Sequence, residues 1–444
     1  EYAESHLPLG ERRFNDIFTR LIHDEEDGSR LVVEYFSLDG HRTLDLSQDF
    51  SIVPARYWRI NPWEEAFANV VYSKAISDEE TLDFVFYGRN REFLTNQYTN
   101  DSFSRVKRSW LESQDDLGAD LRYSVRHDDG RMTRTGLQWS KITSETIDTK
   151  YFGPSGPLPR PRVLAISNER ACKSLFWSQT IPLRSRLRAS LGARYDDPTD
   201  YDGAFTVSAG LEADVSDQST WHMHVGTGRE NPTPTDGDIL QGITPLQATS
   251  LSAETGWTVH PDLNSRWQLN AFWSRVEDAR ILYNDPPGAI GPTAYISKAE
   301  DLTTWGLELI YDREVSDNLR WFSNYTYLCE DVTNNNEPFM PGPLYPTIPE
   351  PPKHIAASGL RADLGATRVA FNVKYSGDYM GLNRLMRYAA PVDSFVVFDL
   401  KLTRTLGSGK VSLFLDNLLD SDYETMPAFP RPGRNYLLSY SQSL

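Results

Sequence analysis

Adjacent carboxylates are the residues best suited by type to acid–base chemistry, and they recur at Glu25-Glu26, Asp128-Asp129 and Asp196-Asp197. Acid–base catalysis needs two such groups in unlike environments, one held protonated and one ionised. Four of these acids sit instead in short polar stretches, 24–29 and 127–131, whose composition is that of turns. Asp24-Glu-Glu-Asp-Gly28 lacks the spacing and closing Glu of a calcium loop. Gly153-Pro-Ser-Gly156 lacks the strand–turn–helix setting of a nucleophile elbow. There is no phosphate loop, HExxH or CxxC. Cys172 and Cys329 are too few for a disulfide framework or a thiolate zinc site. One loop-to-loop disulfide and two free thiols both stay open. The expectation is a chain that is not an enzyme and has no resident cofactor or metal.

His222 and His224 alternate with Trp221, Met223 and Val225. On a strand this puts both imidazoles on one face and the apolar residues on the other. Two readings remain open. The pair could share a metal or an anionic ligand, or be wall histidines bonded to water or to another protein segment.

The elements that would position these residues are read from a two-residue period. Val207, Ala209, Leu211, Ala213 and Val215 interleave with Ser208, Gly210, Glu212 and Asp214, which is a strand with one apolar face. The same alternation runs through 187–195, 305–311, 319–327, 369–375 and 411–415. About nineteen strands are expected by this pattern, from 16–23 at the front to 435–444 at the end. Short polar turns are expected at 24–29, 77–80, 127–131, 182–186, 216–220, 261–265, 316–318, 364–367 and 406–410. They alternate with long connections such as 143–171, 277–303 and 330–353. Short turns on one side and long loops on the other describe an all-β, large antiparallel transmembrane β-barrel.

Bulk properties agree. No apolar run approaches the roughly 20 residues of a membrane helix, and the mean hydropathy is negative, which a barrel tolerates because only alternate residues face lipid. The 444 residues carry a net charge of −17, which argues against nucleic-acid binding. The polar start at Glu1 shows no signal peptide. Trp257, Trp305, Trp321 and Tyr436 fall at strand ends, as in an interfacial girdle.

Several stretches resemble TonB-dependent outer-membrane receptors, in that family's order. Val411 through Tyr423 resembles the penultimate strand and its N-L-x-D-x-x-Y element, and Arg431-Pro-Gly-Arg434 the lead into the closing strand. His224 to Thr233 resembles the G-x-G-x-R-x-P-T strand end, with Arg229 one position early. The stretch 246–256, Trp305-Gly-Leu-Glu308, Tyr325-Thr-Tyr327, Pro352-Lys-His354 and Asp399-Leu400 match further strands. The final residue is Leu444, where the family usually ends in an aromatic. The resemblance implies a 22-stranded barrel, of which residues 1–444 would be the barrel portion, with the plug and first strands expected upstream of Glu1. It implies a bacterial outer-membrane receptor and transporter for a ferric siderophore or a similar scarce nutrient. A TonB-type energy-coupling protein in the periplasm, outer-membrane lipid and lipopolysaccharide would be its partners. Arg229, Tyr283, Tyr295, Arg384, Arg387 and Tyr388 in the long connections, with His222 and His224, are the candidate ligand-binding residues, since Arg and aromatic groups suit catecholate or carboxylate iron chelates. The alternative is a plugless barrel serving as a structural or assembly partner in a membrane complex.

Overall fold

The computed structural model describes residues 12–43, 57–100, 102–153, 156–232, 246–282, 297–333, 350–383, 388–427 and 430–442. Nineteen strands form one sheet. The first seven are β1 (Arg12–Asp24), β2 (Arg30–Thr43), β3 (Tyr57–Ala75), β4 (Glu80–Tyr98), β5 (Val106–Arg126), β6 (Met132–Gly153) and β7 (Gly156–Arg184). Next come β8 (Leu187–Pro198), β9 (Ala204–Ser216), β10 (Ser219–Glu230), β11 (Ala248–Val259), β12 (Ser265–Leu282) and β13 (Ser297–Ser316). Then follow β14 (Leu319–Thr333), β15 (His354–Leu364) and β16 (Thr367–Ser376). A separate hairpin, β17 (Tyr379–Asn383) and β18 (Tyr388–Val392), precedes β19 (Phe395–Leu406), β20 (Gly409–Asp416) and β21 (Asn435–Gln442). Apart from that hairpin, each strand pairs antiparallel with its neighbours in sequence. There is no helix among the described residues. The strand pattern is the all-β meander that the alternation predicts, and every short turn falls where it was expected.

Local chemistry fixes the turns. The β1–β2 and β5–β6 connections share one geometry. Glu25 N donates to Ser29 O (2.8 Å) and Gly28 N to Glu25 O (3.1 Å). His127 N donates to Arg131 O (2.8 Å) and Gly130 N to His127 O (2.9 Å). Gly28 and Gly130 both hold φ at +81°, a conformation open to glycine at little cost. Asp27, hydrogen-bonded by Lys74 Nζ (2.5 Å) and Ser29 N (2.9 Å), is held well below the usual carboxylate range. Asp129 is lowered as well, first by the Arg131 backbone N–H.

The two faces differ as a membrane wall requires. On the outward face Leu175, Phe205 and Leu269 are 54%, 66% and 51% exposed. The accessible surface of 26752 Å² compares with about 17,000 Å² for a compact soluble chain of this mass. Aromatic rings bracket the apolar band. Near the short turns Tyr311 meets Trp267 at a tilt (4.2 Å) and Trp321 edge to face (4.9 Å), while Trp305 and Tyr327 meet at 5.5 Å toward the long connections. Six residues, or about 20 Å of strand, separate Trp267 from Trp273. The inward face carries ion pairs between neighbouring strands: Arg20–Glu34 (3.2 Å), Arg89–Glu65 (2.8 Å), Arg320–Asp312 (2.7 Å) and Lys374–Asp399 (3.0 Å).

Two expected long connections are corrected: 277–303 narrows to the stretch between Leu282 and Ser297, where β12 ends and β13 begins, and 143–171 is lost. Residues 143–171 are not a loop, because β6 and β7 continue as a paired hairpin to Gly153 and Gly156. Asp196-Asp197, the remaining carboxylate pair, lies on β8. Cys172 and Cys329 are free thiols on β7 and β14.

Candidate functional site

The inward wall is built row by row across the strands. In one row Arg188, Glu212, His222, Gly256, Asn270 and Glu308 stand opposite one another on β8 to β13. Arg188 pairs with Glu212, and Asn270 Nδ2 donates to Glu308 Oε2 at 3.2 Å. Between them, a Cβ at Gly256 would lie 2.4 Å from His222 Cε1 and 2.3 Å from Asn270 Oδ1. Glycine there lets the imidazole lie across the strand. In the next row His224 faces Glu254, and His224 is exposed to the interior.

Both histidines thus occupy one face, opposite to Trp221, Met223 and Val225, which point outward with the apolar band. No group of three His, Cys, Asp or Glu side chains suited to a metal ion occurs among the described residues. The wall offers hydrogen-bonding imidazoles, carboxylates and amides to whatever occupies the interior.

The other candidates separate. Arg229 follows the outward phase of β10 and donates to Gln247, which in turn donates to Asn231 Oδ1 at 2.5 Å. It therefore does not share a wall with His222 and His224. Tyr283, Tyr295, Arg384 and Arg387 lie outside the described residues, and Tyr388 opens β18 opposite Asn383.

A cluster that sequence reading missed stands on the inward face of β3 to β7, past the apolar band. Arg108 donates to both oxygens of Asp148 (2.7 and 2.6 Å), and the Asp148 side chain is 5% exposed. The Arg108 guanidinium lies 5.5 Å from the Trp110 ring, itself 5.1 Å from Trp58. Trp63 bridges Phe14 and Phe93 at 5.3 and 4.8 Å. Nearby, Arg170 pairs with Asp200 at 2.7 Å and lies 5.1 Å from the Tyr201 ring. These charges are compensated in place, so the cluster stiffens the mouth. Strand length, visible only in the structure, places it there. β5, β6 and β7 span 21, 22 and 29 residues, against the roughly 9–11 that cross a membrane.

The stretch after β20 forms a polar knot. Asn417, at φ +50°, is buried, donates to Ser421 O (2.8 Å) and accepts from Ser421 N (2.9 Å). Its own N–H reaches Asp399 Oδ1 at 3.1 Å. Asp420 Oδ1 accepts from Arg434 N at 2.6 Å, and Arg434 Nε donates to Leu418 O at 2.9 Å.

Comparison with known proteins places this architecture. The family model described as TonB dependent receptor-like, beta-barrel, matches residues 12–418. No curated protein sequence matches the chain. The siderophore receptor PiuA from Acinetobacter baumannii superposes with a TM-score of 0.75 at 15% identity, over 99% of this chain and 75% of that one. The ferric-catecholate import receptor Fiu from K12 E. coli gives 0.75 at 12%, over 97% and 74%. The copper transporter OprC gives 0.72 at 16%, over 97% and 76%.

Proposed function

The chain belongs to the TonB-dependent receptor β-barrel family, and from that premise we propose that it is the barrel portion of a bacterial outer-membrane uptake receptor. Its ligand is a ferric siderophore or a comparable scarce nutrient, taken in at the end of the long connections. A periplasmic TonB-type protein supplies the energy.

The observation that carries this reading is the inward wall. It is polar, and His222 and His224 make no side-chain hydrogen bond or ion pair within the described residues. The pair contacts ligand or the segment filling the interior. Tyr283, Tyr295, Arg384, Arg387 and Tyr388 meet the ligand from the connections. Arg229 is left out of that set, because it holds the base of its connection through Gln247. Relatives that import siderophores or copper support a transport role over a structural one.

With nineteen alternating strands, β1 and β21 run in the same direction and cannot be antiparallel partners. An odd number of further strands, three for a wall of 22, completes the barrel, and a plug fills a lumen that wide.

The test is uptake of labelled ferric catecholates, ferric citrate, haem, cobalamin and copper by a deletion strain. Loss of one uptake, restored by the intact gene and abolished by a proton uncoupler, is the expected result. Unchanged uptake of every compound would replace this reading with a structural role.

A further inference from the structure

The outward wall carries a groove that the apolar band alone does not require. In the row Val70, Phe86, Ala119, Trp139, Lys173 the residues stand opposite one another on β3 to β7. Ala119 is the small residue between two aromatic side chains. In the row beneath, Tyr72, Phe84, Leu121 and Leu137 continue the channel toward the short turns. The groove is open along its outer side and holds about 540 Å³, a volume within the roughly 300–1,000 Å³ of small-molecule sites.

Its upper end is charged. Lys173 follows Trp139 in the row and is exposed, and its ammonium makes no hydrogen bond or ion pair among the described residues. Asp197, its register partner on β8, makes no ion pair with it. The next outward cation up the wall, Lys141, is paired with Glu169 at 2.9 Å. An unpaired ammonium at the rim of a hydrocarbon band calls for an anion at headgroup depth.

We propose that this groove is a specific site for a phosphate-bearing lipid of the outer leaflet, one acyl chain lying over Ala119 between Phe86 and Trp139 and a phosphate resting on Lys173. The shape selects the chain, and the lysine selects the headgroup. The site rests on the outward face being the lipid face. A wrong face assignment would abolish lipid binding of every kind, whereas a wrong site would leave binding that the substitutions do not alter.

The measurement is native mass spectrometry of the detergent-purified full chain with lipid A or with phosphatidylcholine of matched chain length. One lipid A per chain is expected at concentrations where phosphatidylcholine is lost. Lys173→Gln should lower the bound fraction at least fivefold by removing the preference for phosphate. Ala119→Phe should fill the channel and lower retention of both lipids. Lys141→Gln should match the parent, and migration of unboiled samples on gels verifies that each variant is folded. Equal retention of the two lipids overturns the proposal, as does parental lipid A binding by either Lys173→Gln or Ala119→Phe.

Discussion

Gly256 makes room for two side chains at once, so its replacement has a defined consequence. Gly256→Ala places a methyl group against the ends of the His222 and Asn270 side chains, which can swing into the interior, so its cost stays at the low end of overpacking, about 1 kcal/mol. Gly365→Ala meets nothing within 4 Å but sits at φ +64°, and should lose about 1–2 kcal/mol from backbone strain alone. The heat-modifiability midpoint of the purified barrel compares the two. Asp148→Ala leaves the half-buried guanidinium of Arg108 without its carboxylate and should cost about 2–3 kcal/mol, below the roughly 3–5 of a fully buried pair, with the double variant Arg108→Met, Asp148→Leu much milder. The turn carboxylates give a pH signature. Asp27 and Asp129 have folded pKa values below their unfolded value of about 3.9. Their contribution is therefore present above pH of about 4 and lost as pH falls through the folded values. The stability gap between the parent and Asp27→Asn, Asp129→Asn should shrink between pH 5 and 2 in acid-unfolding titrations. A constant gap would contradict the assignment. At this scale the sequence was only partly legible. The facing of His222 and His224 follows from parity alone, but Arg108 and Asp148 are 40 residues apart and meet only through the β5–β6 register.

Strands were legible wherever one face meets lipid and the other water, because that contrast writes a period of two into the sequence. Residues 143–171 escaped for the same reason. The upper parts of β6 and β7 rise past the apolar band, as Lys141–Glu169 on their outward face shows. With water on both sides, Thr143, Ser144, Glu145 and Thr146 have no contrast to display, and the hairpin reads as loop. The N-L-x-D-x-x-Y stretch was legible as a motif before its reason was, which is the knot around Asn417. The element-scale prediction concerns parity. Leu269→Arg, on the outward face within the band, should cost about 2–4 kcal/mol. Ser252→Arg, exposed to the interior on β11, should stay within about 0.5 kcal/mol. Urea unfolding in lipid vesicles measures both, and equal penalties would contradict the assignment of faces.

The whole molecule is a wall whose sides have opposite solvents. The net charge of −17 and the negative mean hydropathy disguise it, because inward residues and connections outweigh the lipid-facing set in any average. Fold and family follow from this wall, whereas the ligand does not, because the connections that carry most of the candidate contacts do not share its periodicity. The most direct test is a collision-accessibility scan by electron paramagnetic resonance. Spin labels are placed singly at 205, 206, 207, 208, 211 and 212 on β9, in a Cys172→Ser, Cys329→Ser background reconstituted in vesicles. Labels at Phe205, Val207 and Leu211 should collide with oxygen and be shielded from a water-soluble nickel chelate. Labels at Thr206, Ser208 and Glu212 should show the reverse. Uniform access to nickel at all six positions would contradict the membrane wall and everything built on it.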